Sequence, residues 1–372
     1  MSPDVIVIGG GVIGTSIAYQ LAKASVRVVV LDRGRIGGEA TGASAGIVLG
    51  HPAADTAESF SILLKESARL FPALAVELSD RTGMDIGLRR SGLVRVAFDE
   101  TQEQALRSER HWQLGTGVAV AWLDSRSALD VEPALSPLIR AGIYYADGHH
   151  LLPRSLATAL ARAASDLGAT VREGAAIDRL LIAHDRVTGV GIGSETISAS
   201  EVVIANGAWA SSFSDQLGIP IPVRPVRGQL AAIRTIGTAL RTVVMSIDGY
   251  VLTRADGQTI VGSTIEDVGF QAHPTLAGVA DLLSLAQRLA PSLASAPFAS
   301  AWAGLRPSTP DGLPLIGRVA QYAGVTIAGG HFRDGILLAP ITGEVVADLL
   351  LRRRPRLPLD PFDPARFIIR AA

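Results

Sequence analysis

The chain opens with Asp4-Val-Ile-Val-Ile-Gly9-Gly10-Gly11-Val12-Ile13-Gly14, an apolar strand that runs directly into a Gly9-x-Gly11-x-x-Gly14 turn. Few folds accept that pattern. The first glycine permits a tight turn, the second lets backbone approach a pyrophosphate, and the third lets the following helix close on the strand. The spacing predicts a strand over 5–8, a helix over about 12–23 and a second strand over 26–31 that ends at Asp32, eighteen positions beyond Gly14. Free N–H groups and the positive dipole end of the helix suit phosphates, and Asp32 suits ribose hydroxyls. Strand, glycine turn, helix and acid-ended strand together mark a dinucleotide site at the start of a parallel, Rossmann-like sheet. The turn alone serves NAD and FAD equally.

Composition narrows the partners. A chain of 372 residues with 48% apolar content is long for one domain and fits two lobes sharing a large core. Thirty-four basic and 35 acidic residues leave a net charge of −1, so nothing electrostatic calls for nucleic acid. The absence of cysteine excludes disulfides, thiolate metal sites, cysteine nucleophiles and a flavin tethered through sulfur. No His or acid spacing predicts a metal site either. The N-terminus does not read as a signal peptide, and no apolar run reaches the roughly 20 residues that span a bilayer. A cytoplasmic protein is the expectation. The Arg352-Arg353-Arg354-Pro355-Arg356 run follows an apolar helix over about 343–351 and reads as offsetting its dipole, with peripheral contact to an anionic membrane surface as the alternative.

The fold class expected is α/β, or α+β overall. Apolar strands are also predicted around Val171 and over 202–205, and a helix over 153–167, which starts at Pro153 and stops before Gly168. Residues 83–140 and 223–298 look different, with strand-like alternations over 92–98, 229–234, 249–253 and 258–262 between Gly, Asp and Pro turns. This predicts a doubly wound nucleotide lobe from 1–82, 141–222 and 299–372, interleaved with a sheet-rich substrate lobe from 83–140 and 223–298. Such a chain places a ligand between lobes. His149 and His150, after Ala146-Asp147-Gly148, read as loop.

Two further stretches carry the chemistry. One is the small-residue run Glu39-Ala40-Thr41-Gly42-Ala43-Ser44-Ala45-Gly46-Ile47, which lets backbone come close to a bulky flat ligand. The other runs from Trp302-Ala-Gly-Leu-Arg306-Pro to Gly330-His331-Phe332-Arg333-Asp334-Gly335-Ile336-Leu337-Leu338-Ala339-Pro340. With these strings the whole chain resembles the FAD-dependent D-amino acid oxidase superfamily, and within it the bacterial glycine oxidases of the thiamine pathway. The resemblance implies a Rossmann-like lobe that binds FAD non-covalently. It assigns flavin contacts to Val12, Ile13, Asp32, Arg33, Ala40, Thr41, Ala45, Gly46, Ile47, Ile177 and the run from His331 through Leu337, beside Gly9, Gly11 and Gly14 of the turn. The N–H groups of a helix starting near Gly335 would face the negative pyrimidine end of reduced flavin.

The same likeness assigns Arg306, Arg333 and Tyr250 to the substrate. A guanidinium fork holds a carboxylate by two parallel charge-assisted bonds. The implied reaction is oxidative deamination of glycine, sarcosine or a small D-amino acid by hydride transfer to flavin N5. A 2-oxo acid, ammonia or an amine, and hydrogen peroxide from dioxygen are the implied products, and relatives that are tetramers imply a homo-oligomer. Arg306 paired with Asp311, Arg333 paired with Asp334, and Tyr250 as an ordinary strand aromatic are the structural alternatives. Asp248, Gly249, Asp334, Ile47 and Ile265 depart from the family pattern, where asparagine stands at 334 and methionine at the two isoleucines. A catalytic subunit that passes electrons to a partner or quinone is the alternative function. A binding protein with a structural FAD is a third.

Overall fold

The computed structural model describes residues 2–53, 56–235 and 239–368. The chain begins with β1 (Val5–Ile8), α1 (Val12–Lys23), β2 (Val28–Leu31), α2 (Ala40–Ala43), β3 (Ile47–Val48) and α3 (Glu58–Thr82). It continues through β4 (Leu93–Ala97), α4 (Glu100–Gly115), β5 (Ala121–Asp124), α5 (Ser125–Val131), β6 (Ala141–Tyr145), β7 (His149–His150), α6 (Pro153–Asp166) and β8 (Thr170–Arg172). Then come β9 (Arg179–Ala183), β10 (Arg186–Ile192), β11 (Glu195–Ser198), β12 (Glu201–Ile204), α7 (Ser214–Leu217), β13 (Arg224–Arg234), β14 (Val243–Ser246), β15 (Gly249–Thr253) and β16 (Gln258–Gly262). The last elements are α8 (Leu276–Leu289), β17 (Phe298–Ser308), β18 (Leu315–Arg318), β19 (Val325–Gly329) and α9 (Gly335–Leu350).

A six-stranded sheet in the order β18-β19-β12-β1-β2-β8 forms the nucleotide lobe, parallel except for β18. Ile8 lies opposite both Leu31 and Ile204, so three strands end level at their carboxyl edge. The strands are buried on both faces, which is why they read as unbroken Val/Ile runs. Helices α1, α3, α6 and α9 pack together on one face. The other face is covered by the antiparallel strands β9, β10 and β11, whose Val187 and Val190 meet Val202 and Ile204. The expectation of a doubly wound lobe is corrected there. Period-two patterning at Leu180 and Ile182, with turns at Asp185 and Gly193 in left-handed backbone, makes a sheet and not a helix.

The second sheet has eight strands in the order β17-β13-β16-β15-β14-β4-β6-β5. β6 and β17, which fall in segments expected in the nucleotide lobe, hydrogen-bond here. One face packs on α8 through Val94, Val244, Val251 and Val261. The opposite face carries Leu230, Met245, Tyr250 and Tyr145 toward the nucleotide lobe. His149 and His150 are not loop; both are buried in β7, antiparallel to β3. Within the basic run Arg356 pairs with Glu344 at 3.0 Å and Glu66 at 2.9 Å, while Arg352, Arg353 and Arg354 are exposed. Among the described residues no helix is long and apolar enough to cross a membrane.

Candidate active site

A cavity of about 850 Å³ runs from the carboxyl ends of β1 and β2 to the face of the eight-stranded sheet. Nearly every residue singled out from the sequence lines it, including Gly9, Gly11, Val12, Ile13, Asp32, Arg33, Ala40, Thr41, Ala45, Gly46, Ile47 and Ile177. His331, Phe332, Arg333, Asp334, Gly335, Ile336 and Leu337 line it as well, as do Tyr250 and Arg306. Gly14 stands behind the wall. A Cβ there would lie 1.9 Å from the Gly9 carbonyl oxygen, so its place is the close packing of helix on turn.

At the nucleotide end the wall is mostly backbone. Gly9 has φ +109°, and a Cβ on it would sit 2.5 Å from the Ala205 carbonyl oxygen. Asp32 accepts from Gly10 N–H at 2.6 Å through one oxygen and from Gly34 N–H at 2.7 Å through the other. The carboxylate thus braces the turn, and each oxygen keeps a second lone pair for a ligand. Thr41 accepts from Val12 N–H at 3.0 Å at the start of α1. Arg33 pairs with Glu39 and lies 3.6 Å from the ring centre of Trp209, a neighbour the sequence did not offer.

The small-residue run is tied to the second sheet. Trp302 donates its indole N–H to Ala43 O at 3.0 Å, and Arg254 donates Nε–H to Ala45 O at 3.2 Å and a further N–H to Ser44 O. Gly304 touches Ala43, which explains why both positions are small. Nothing local in the sequence marks Arg254, just past the strand of Tyr250, as an anchor for residues 209 and 210 positions away.

At the other end the wall is made of side chains. Arg306, on β17, donates from Nη1 to Thr264 O at 3.0 Å and Arg227 O at 3.3 Å, and from Nη2 to Ser263 Oγ at 2.7 Å. Gly228 lies beneath it; a Cβ there would come within 2.1 Å of Nη2. The neighbouring acid Glu266 is taken by Arg227, and it also accepts from Gln229 at 2.7 Å. Asp311 is taken by Arg366 at 2.8 Å, not by Arg306. Among the described residues Arg306 has no carboxylate partner, and neither has Arg333. Burial pushes the Arg306 guanidinium down from its usual range, which still leaves it charged.

Tyr250 lies opposite Met245 on one side and Gly262 on the other, and its ring fills the space over Gly262. Burial raises its hydroxyl pKa, with Ser263 and Arg306 opposing, so it faces the cavity protonated. His331 is buried, bonded to Thr342 Oγ1 at 3.1 Å, and pushed down by burial to about 3. It is a neutral core histidine. After a turn with Gly330 and Phe332 in left-handed backbone, the first residues of α9, Gly335 to Leu337, line the cavity. Asp334 stands at that helix start, raised by burial to about 6.

Comparison with known proteins bears on this arrangement. Residues 4–349 match the family model described as FAD dependent oxidoreductase. The glycine oxidase of Geobacillus kaustophilus (strain HTA426) is 37% identical over 371 residues, 98% of this chain and 97% of that one. The crystal structure of glycine oxidase from Geobacillus kaustophilus matches with a TM-score of 0.94 at 34% identity, covering 98% of both chains. That of iminodiacetate oxidase from Chelativorans sp. BNC1 matches with a TM-score of 0.90 at 28% identity, over 97% of this chain and 98% of that one.

Proposed function

Because the chain belongs to the FAD dependent oxidoreductase family and is an FAD-dependent amino acid oxidoreductase, we propose that it oxidises glycine, sarcosine or small D-amino acids at the sheet-side end of this cavity. The observation that carries the proposal is Arg306. It is a half-buried guanidinium with no carboxylate partner among the described residues, seated over Gly228 in the cavity that begins at the glycine turn. The residues also fit the cofactor. Gly9 leaves no room for a side chain at the turn, the first residues of α1 and α9 line the cavity, and Asp32 offers ribose acceptors.

FAD bound here would supply the acceptor for the two electrons and the hydrogen lost from the substrate, with dioxygen as the proposed oxidant that would restore it and give hydrogen peroxide. Arg306 holds the substrate carboxylate, with the Tyr250 hydroxyl donating a second contact and Arg333 standing at the mouth. Its own bonds to Thr264, Arg227 and Ser263 fix the guanidinium before substrate arrives, so orientation is built in. His331 moves no proton, since burial keeps it neutral against Thr342. Hydride loss needs the amine lone pair, so the substrate reacts with its own amine neutral. The imino acid formed is hydrolysed by water to a 2-oxo acid and ammonia, or methylamine from sarcosine.

Anaerobic addition of glycine, sarcosine and D-alanine to the purified holoprotein tests this. Glycine or sarcosine bleaches the flavin absorbance, and air restores it with one peroxide per turnover. Flavin left oxidised by all three overturns the substrate class. Bleaching with recovery in air far slower than turnover of a dye replaces dioxygen with a partner acceptor.

A further inference from the structure

Helix α9 holds Pro340 in its interior, little more than a turn after its start. Proline has no N–H to give the Ile336 carbonyl, and its ring crowds that oxygen, so one rung of the helix is missing. The next rung runs from Ile341 N–H to Leu337 O, and the hydroxyl of Ser67 on α3 bridges the same two groups. Ser67 Oγ donates to Leu337 O at 2.5 Å and accepts from Ile341 N–H at 3.4 Å. A second tie holds the chain just before the helix, where His331 Nε2 meets Thr342 Oγ1 at 3.1 Å.

Ser67 is fully buried, beside Leu63, Leu64 and Phe71 of its own helix, which belong to the apolar core around α9. A hydroxyl there is costly unless it is hydrogen-bonded, and both bonds it makes among the described residues go to α9 backbone. Ser67 stands behind the cavity wall, whereas its acceptor Leu337 lines the cavity together with Gly335 and Ile336. No side chain caps this helix start, so its first N–H groups are left to whatever fills the cavity there. The charge of Arg333, two residues before Gly335, acts on both Tyr250 and Arg306. The start of α9 therefore lies at the reacting end of the cavity, while that of α1 stands at the glycine turn.

Reduced flavin carries a negative charge that the oxidised form lacks, and the positive end of a helix dipole favours an anion within its first turn. Resting on FAD bound in this cavity, and on no particular substrate, we infer that Ser67 is a positioning residue for the flavin. Pro340 cuts the first turn of α9 from the helix behind it, and the Ser67 hydroxyl rejoins the two. It thereby holds the turn in place and sets how strongly the protein prefers reduced over oxidised flavin.

The test is the flavin midpoint potential of the holoprotein, read by slow anaerobic dithionite reduction against a reference dye. Ser67→Ala lowers the preference for reduced flavin about tenfold, which is about 30 mV for a two-electron couple. Ser67→Thr keeps the hydroxyl and stays near the unmodified value. The melting temperature of Ser67→Ala falls too, as it would for any bonded buried serine, so the potential decides. An unchanged potential in Ser67→Ala makes the serine structural only and overturns the inference. If Ser67→Ala purifies without flavin, Ser67→Cys, whose thiol is a weak donor, is read in the same way, and an unchanged potential there overturns the inference equally. No amino acid enters the measurement. Flavin that glycine, sarcosine and D-alanine all leave oxidised, beside a lowered Ser67→Ala potential, overturns the substrate class alone and supports the role of Ser67.

Discussion

At the nucleotide end the cavity wall is built from glycines, the first turns of helices and one carboxylate that braces its own turn. At the end proposed for substrate it is built from long side chains standing on a sheet face, with glycines beneath them to make room. The first kind of wall is local in sequence, since Gly9 to Asp32 is a single strand-helix-strand unit. The second is assembled from strands far apart in the chain, as Arg306 on β17 leans over Gly228 on β13 and donates to Thr264 beyond β16. The difference predicts that the two ends fail separately.

The largest effect belongs to the local end. Gly9→Ala places a Cβ 2.5 Å from the Ala205 carbonyl oxygen on a backbone at φ +109°. Strain of about 1–3 kcal/mol, together with displacement of the turn, weakens FAD binding by roughly 100-fold or more. Flavin absorbance per mole of purified chain, with a fluorescence titration of the apoprotein, reads it. Full FAD content in this variant would break the comparison at its root.

Arg306→Ala does the converse. Flavin content stays at the unmodified level while the second-order rate of reduction by glycine falls by about 10²–10³, the size expected when a charge-assisted pair is lost. Gly228→Ala follows in the same direction by a smaller factor, because its Cβ pushes on the guanidinium itself. Tyr250→Phe removes one hydroxyl and costs roughly tenfold, carried more by KM than by kcat. Loss of flavin in Arg306→Ala would show that the two ends are one unit.

The same contrast explains what could be read from the residues alone. The glycine turn, Asp32, the strand over 5–8 and the helix at Pro153 were legible because their signals lie within a turn or two of the chain. The motif strings around Arg306 and Arg333 pointed to the other end of the cavity, but not to the environment that leaves Arg306 without a carboxylate among the described residues. That depended on Arg227 and Gln229 claiming Glu266 and on Arg366 claiming Asp311, pairings across 39, 37 and 55 positions. The β9–β11 layer was missed because short alternating strands between glycines look like loop until a sheet exists for them to cover.

The smallest expected effect lies where the two walls meet. Asp334 stands at the start of α9, where the helix dipole favours an anion, yet burial raises its carboxyl from 3.8 to about 6 with Arg333 opposing. Desolvation therefore wins. A raised acid binds its proton more tightly in the folded chain than in the unfolded one, so its favourable contribution is complete below about pH 4 and is lost as the pH rises through 6. At pH 8 the ionised carboxylate costs about 1–3 kcal/mol relative to a neutral group of the same shape. Asp334→Asn accordingly raises the melting temperature at pH 8 by a few degrees and leaves it nearly unchanged at pH 5, where the native carboxyl is already largely protonated. Thermal melts of both chains at the two pH values measure the difference. An equal shift at pH 5 and pH 8 would mean that Asp334 acts through packing, and that the helix start belongs with the backbone-built end.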